Sequence, residues 1–351
     1  MGKIYYNQLD VFRALAALSI CAIHFNYNSF THNYIANLLF VQLFFSLSGF
    51  VIFLNYYHNL TKFNNLLDFI KKRFKRLYPL HFFFLILFVI LEFLKYISAT
   101  KYGLEFNNKP FSTNNTYSFF SNIFFLQHLA DGFTFNTPAW SISVEFWLYI
   151  TFAFLLLFLK KYIILFAAIY SIIFISFFSH IYGQAHTINS YYSGLYSFFV
   201  GCLFCYLFIR RKFIIKSLFY DFFYLIILVT FLSEIFYFKL LVSKEYLYSI
   251  FFGLIFFMSC YLNKNSIIYK IVFNSFFMFL GKISYSIYLS HVFIFMVLSQ
   301  FLRFVLKYPY ADGQLQLSSL EANLYTLTAY AITIFFSYFS YKYIEMRFYR
   351  N

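Results

Sequence analysis

The chain has 351 residues, of which 62% are hydrophobic, 27% aromatic and only 11% charged. That is too little charge to keep a globule of this size in water, and apolar runs of about 17 to 22 residues recur, so the composition excludes a soluble enzyme and points to repeated membrane crossing. The net charge of +15 does not indicate nucleic acid, because the Lys and Arg residues fall in short clusters between apolar runs.

In chain order the hydropathy predicts an all-α polytopic bundle of about ten spanning helices. They lie near 9–29, 35–56, 79–97, 139–159, 162–179, 192–209, 218–238, 246–262, 283–302 and 321–342. Between the eighth and ninth, 263–282 is apolar only from Ile271 to Leu280, which places it at the inner interface or as a re-entrant piece. With both termini cytoplasmic, the clusters Lys71–Arg76, Arg210–Lys216 and Lys264–Lys270 fall inside, and the outer side is sparse in cations. The longest outer loop, about 98–138, is polar and too short for a domain, so residues 1–351 read as one membrane domain. No cleavable signal peptide is expected, because Met1-Gly2-Lys3 leads directly into a segment long enough to span. Internal repeats and paired Gly/Pro-broken helices are absent from the sequence, unlike an inverted-repeat transporter. Cys202-x-x-Cys205 reads as apolar packing, since no second pair or nearby His completes a redox or metal set.

The first span carries Asp10, Arg13 and His24. Arg13 and His24 are separated by about three turns plus roughly 20°, so they share one helix face about 16 Å apart, and Asp10 joins it. Alone, Arg13 could snorkel to headgroups and His24 could be a packing histidine. Together in a membrane helix they suggest a site, with His24 suited to general-base work.

Four further segments stand out. In the second span, Phe44-Phe45-Ser46-Leu47-Ser48-Gly49 offers close helix packing, and Ser46 or Ser48 could instead face a channel. Before the third span, Lys72, Arg73, Lys75 and Arg76 could anchor topology or clamp a polyphosphate, with Pro79 opening the next helix. Pro138-Ala-Trp140-Ser-Ile-Ser-Val-Glu145-Phe-Trp147 opens the fourth, its tryptophans suited to an interface and Glu145 to orienting or charge-pairing His24. His291, in Ser284-Tyr-Ser-Ile-Tyr-Leu-Ser-His291, lies mid-membrane, open between helix packing and catalysis. No histidine has metal-ligand spacing.

In this order the segments resemble the integral-membrane O-acyltransferases of the acyltransferase-3 family. LDVFRALAALSICAIHF is similar to that family's first-helix signature, FFSLSGFVIF to its second-helix motif and RFKRLYPLHF to its basic motif. PAWSISVEFWLY is similar to its helix-4 signature, SYSIYLSHVFI to its late Ser-Tyr-Ser…His motif and YIEMRFYR to its closing segment. Lys72 and Lys75 stand where arginines are common, and Met346 where Pro is usual.

The resemblance implies transfer of an acyl group, most often acetyl, from cytoplasmic coenzyme A to a hydroxyl on an outer-facing glycan. Lipopolysaccharide or capsule sugars in a bacterial inner membrane are examples. It implies His24 as the essential residue, acting as general base or as transient acyl carrier, with Arg13 beside it, Glu145 in support, and Arg73 and Arg76, with Lys72 and Lys75, on the donor phosphates. Asp10, Ser46, Trp140 and His291 are additional candidates. Expected partners are acyl-coenzyme A, a glycan or lipid-linked glycan, and membrane lipids; nucleic acid and a metal are not expected. The oligomeric state stays open between monomer and dimer. The rival reading is a transporter or flippase of a lipid-linked glycan.

Overall fold

The structure, a computed structural model, describes residues 4–350 apart from 26, 28, 36–37, 130–133, 183, 185–186, 211–217 and 236–243. Arg211, Lys212, Lys216 and Lys239, which contribute to the predicted charge asymmetry, lie outside the described residues.

Helices occupy every predicted span. They are α1 (Gln8–His24), the short α2 (Phe30–Ile35), α3 (Leu39–Tyr56), α4 (Phe63–Tyr102) and α5 (Thr116–Ile123). There follow α6 (Trp140–Leu159), α7 (Ile163–Ile173), α8 (Ile188–Arg210), α9 (Leu218–Ser233) and α10 (Leu247–Ser259). The short α11 (Ile267–Val272) and α12 (Ser275–Lys282) lead into α13 (Ser284–Gln300), α14 (Ser319–Ser340) and α15 (Met346–Arg350). Among the described residues only the pairs Tyr310–Ala311 and Gln314–Leu315 form strands.

Among the described residues, six helices are long and apolar enough to cross a membrane, including α3, α4, α6 and α8. Their outward faces are greasy. Only 22% of the most apolar window around α7 is buried within the protein, although its mean hydropathy is 2.1. Phe158 and Phe177 are more than 70% exposed. Such a surface is stable only against lipid, where helices satisfy their own backbone groups. The chain is a multi-pass integral membrane protein.

Inside, small residues bring backbones together. A Cβ on Gly49 of α3 would lie 1.9 Å from the Phe198 carbonyl oxygen of α8, and one on Gly201 would lie 1.9 Å from that of Ser46. In lipid, where hydrophobicity does not drive helices together, such close approach supplies the attraction. The segment 263–282 does not span: α11 has six residues and α12 eight. Gly281 seats α12 on α1, since a Cβ there would meet the Asp10 carbonyl oxygen at 1.9 Å.

Two features depart from the sequence reading. Pro79 does not open a helix; it lies inside the 40-residue α4, which begins well before the basic run. A membrane helix absorbs the missing N–H because the loss is local and its neighbours hold it in place. The stretch after α4 is also not a simple outer loop. It returns down α4, with Phe111 against Phe93 (ring centroids 5.1 Å apart), the Asn122 carbonyl on His81 Nε2 at 3.0 Å, and Phe125 against Tyr78 at 5.7 Å. Phe93 to Tyr78 is about 22 Å of helix. Phe125 sits at φ 55°, a backbone conformation that bulky residues rarely adopt, and it is held there by stacking on Phe146 at 4.8 Å.

This return covers α6. Trp147 Nε1 donates to the Phe125 carbonyl at 2.9 Å, and Trp140 is only 3% exposed. Trp140 is therefore buried packing, and Trp147 is anchored within the protein, where the sequence suggested interfacial residues.

Candidate active site

A narrow cavity of about 290 Å³ runs between α1, α3, α4, α6 and α13. It follows α3 from Tyr56 to Val41, about 22 Å of helix. At the Tyr56 end it is lined by Tyr5, Arg73, Arg76, Lys282 and Glu345, further along by Arg13, Ser48 and Glu145, and at the Val41 end by Phe44, Ser141 and Tyr288.

The arginines are held in different ways. Arg13 donates to Asp10 at 2.5 Å, and the Tyr5 hydroxyl donates to the other Asp10 oxygen. Burial, together with that carboxylate, pushes the Tyr5 hydroxyl well above its usual pKa range, so it remains a donor. Arg76 pairs with Glu345, whose second oxygen accepts from Ser286 Oγ at 3.0 Å. The turn Tyr341–Glu345 is a π-helix, and it directs both Tyr341 and Glu345 to the cavity wall.

Arg73 differs. Its guanidinium lies among the rings of Tyr56, Phe69 and Tyr149 at 5.6, 5.7 and 5.8 Å and donates to the Tyr56 hydroxyl at 3.3 Å. Among the described residues no carboxylate lies within ion-pair distance of it, and its buried Nε has no acceptor. Arg73 is half-buried, and a buried N–H without an acceptor is uncommon, so this arginine holds donor capacity that the protein itself does not use.

Glu145 accepts from Ser48 Oγ at 2.7 Å and from the Tyr149 hydroxyl, which is also 3.2 Å from Ser48 Oγ. It was expected to orient His24. It does not, because α6 meets α3 at Ser48, whereas His24, the last residue of α1, packs on α13.

His24 Nδ1 lies 3.0 Å from Nε2 of His291 and 3.1 Å from the Ile20 carbonyl oxygen. His291 is fully buried, and its Nδ1 lies 3.2 Å from the Ile287 carbonyl. Neither histidine lines the cavity. The Tyr288 ring stands between, 6.0 Å from the His291 ring, and its hydroxyl is 2.7 Å from Ser141 Oγ.

The fold thus brings Asp10, Arg13, Arg73, Arg76 and Glu145 onto one cavity and sets His24 beside His291 just beyond its end. Lys72 and Lys75 are off the lining; on α4 they fall about 40° and about 100° beyond Arg76, on the side away from Arg73. Ser46 is buried at the α3–α8 crossing, and Ser48 takes the cavity position. Trp140 is buried away from the lining. Sequence reasoning missed Tyr5, Tyr149, Lys282, Tyr288 and Glu345. Glu345, a buried acid in the closing motif, was the one with a readable signal.

Fold and cavity together define a membrane-embedded site with cations toward one end and an imidazole pair beyond the other. The acyltransferase-3 family, described as an acyltransferase domain, matches residues 6–342, and the chain belongs to it. No curated protein and no solved structure matches the chain.

Proposed function

We propose that this membrane acyltransferase carries an acyl group, acetyl in the first instance, from cytoplasmic acyl-coenzyme A to a hydroxyl of an outer-facing glycan. The setting is a bacterial inner membrane, with about ten crossings and both termini cytoplasmic. A lipopolysaccharide or capsule sugar is the acceptor class. The observation that carries the reading is the cavity rising from Arg73 and Arg76 to Tyr288, beneath the His24–His291 pair.

The donor's charge keeps it on its own side of the membrane. Its phosphates dock at Arg73, whose capacity is unused, and at Arg76. The slim pantetheine arm follows the cavity past Arg13 and the Ser48–Glu145–Tyr149 group. Arg13 stands about three turns from His24, so its role is to grip the arm and not to stabilise charge at the thioester. Beyond Tyr288 the thioester meets His24. There the imidazole takes the proton of the acceptor hydroxyl, and the oxygen attacks the thioester carbonyl carbon. Collapse of the tetrahedral intermediate breaks the C–S bond, and the thiolate recovers the proton from His24.

Free coenzyme A tests the reading. At a hundred times its Kd it should stabilise the purified protein by about 2.7 kcal/mol, raising Tm, with no shift from an uncharged pantetheine analogue at equal concentration. Equal shifts from both, or from neither, would count against donor binding. A flippase of a lipid-linked glycan needs no thioester and gives no such difference.

A further inference from the structure

We infer that His291 is a positioning residue that fixes His24 as the Nδ1-protonated tautomer and so makes Nε2 the base. The inference rests on acyl transfer at His24 and assigns the proton to one atom.

It follows from the bonds that the two rings make. A backbone carbonyl can only accept. His291 Nδ1 faces the Ile287 carbonyl at 3.2 Å, so that nitrogen carries the hydrogen. A neutral ring protonated at Nδ1 has a bare Nε2. That Nε2 lies 3.0 Å from His24 Nδ1, which must then be the donor. The Ile20 carbonyl, 3.1 Å from the same His24 nitrogen, independently requires the same proton there. With Nδ1 protonated, the lone pair of neutral His24 sits on Nε2. Two acceptors, contributed by α1 and α13, therefore specify one tautomer.

The arrangement is that of a catalytic base steadied by a second group, with an imidazole in the place a carboxylate takes in a Ser-His-Asp triad. A neutral partner suits this depth, because a buried carboxylate would carry its own desolvation cost. When Nε2 takes up the acceptor's proton, His24 becomes an imidazolium whose Nδ1–H is already bonded to His291. The positive charge is then shared across that bond without any group having to move. His291 is fully buried and its ring is packed against Phe25 and Tyr288, at 6.3 and 6.0 Å, so it cannot readily turn away. It touches neither donor nor acceptor in this scheme; it acts through His24.

Two measurements test this. In ¹⁵N-histidine-labelled wild-type protein in nanodiscs, the His24 ring, identified by its loss in His24→Gln, should show a protonated Nδ1 and a bare Nε2 near neutral pH. In membrane vesicles supplied with labelled acetyl-coenzyme A, His291→Gln places an amide oxygen where Nε2 stood and should stay within about tenfold of wild-type kcat. His291→Phe keeps the ring without the acceptor and should lose about a hundredfold in kcat at unchanged donor KM. An Nε2-protonated His24 would overturn the inference, as would Gln and Phe variants of equal activity. If the Phe variant does not fold, the wild-type spectrum decides. An active His24→Gln protein would instead remove the role of His24 in the transfer, on which the inference rests.

Discussion

His24→Gln should fold, insert and bind donor, yet lose roughly 10²- to 10⁴-fold in kcat, the range that a general base contributes. Glutamine fills a similar volume and keeps polar atoms near the Ile20 carbonyl and His291, so α1 and its seat on α13 should survive. It cannot take a proton at neutral pH. Donor KM should stay within about twofold, because the arginines proposed to hold the donor phosphates lie at the far end of the cavity. The measurement is transfer of labelled acetyl from coenzyme A in vesicles, alongside a thermal melt to confirm folding. Wild-type turnover in a folded His24→Gln protein would remove the catalytic role of the imidazole.

Arg73→Ala should raise donor KM by about ten- to a hundredfold with little change in kcat, the loss of one hydrogen bond to a charged group at about 1.5–3 kcal/mol. The structure makes this arginine the sharper probe of the two. Arg76 is tied to Glu345 and through it to Ser286, so its removal also leaves a buried carboxylate unpaired and confounds binding with packing. Arg73 has no such acid among the described residues and is held by aromatic rings instead. Lys72→Ala, on the neighbouring face and off the lining, should shift KM less, and Lys109→Ala, remote on the return segment, not at all. Equal effects at all three positions would reduce the basic run to a topology signal.

Helix positions were legible because membrane length and hydropathy are local properties; every predicted span contains a helix. The shared face of Asp10, Arg13 and His24 was legible for the same reason, since helical periodicity fixes it without tertiary information. What could not be read was depth and partnership between helices. Counting from the predicted helix ends puts Glu145 and His24 at similar depth. That count assumed straight, full-length spans, whereas α1 stops at His24 and α4 extends far beyond a single crossing. Residues 98–138 read as an outer loop because the stretch as a whole is rich in Asn, Ser and Thr; its descent along α4 depends on His81 and Glu92. Glu92 accepts from the Phe111 amide at 3.0 Å and from Asn114 at 2.8 Å. No local pattern encodes such pairings. The His24–His291 contact joins residues 267 positions apart, and sequence could nominate each ring but not their 3.0 Å approach.

The claim that one interior path joins a donor on one face to an acceptor on the other is tested most directly in sealed everted vesicles. Their outer surface is the cytoplasmic face. With labelled acetyl-coenzyme A added outside, labelled glycan should accumulate in the lumen, protected from added deacetylase until detergent opens the vesicle, and His24→Gln vesicles should accumulate it at least about a hundredfold more slowly. Label that appears only on the outer surface, on the same side as the donor, would contradict a path through the bundle.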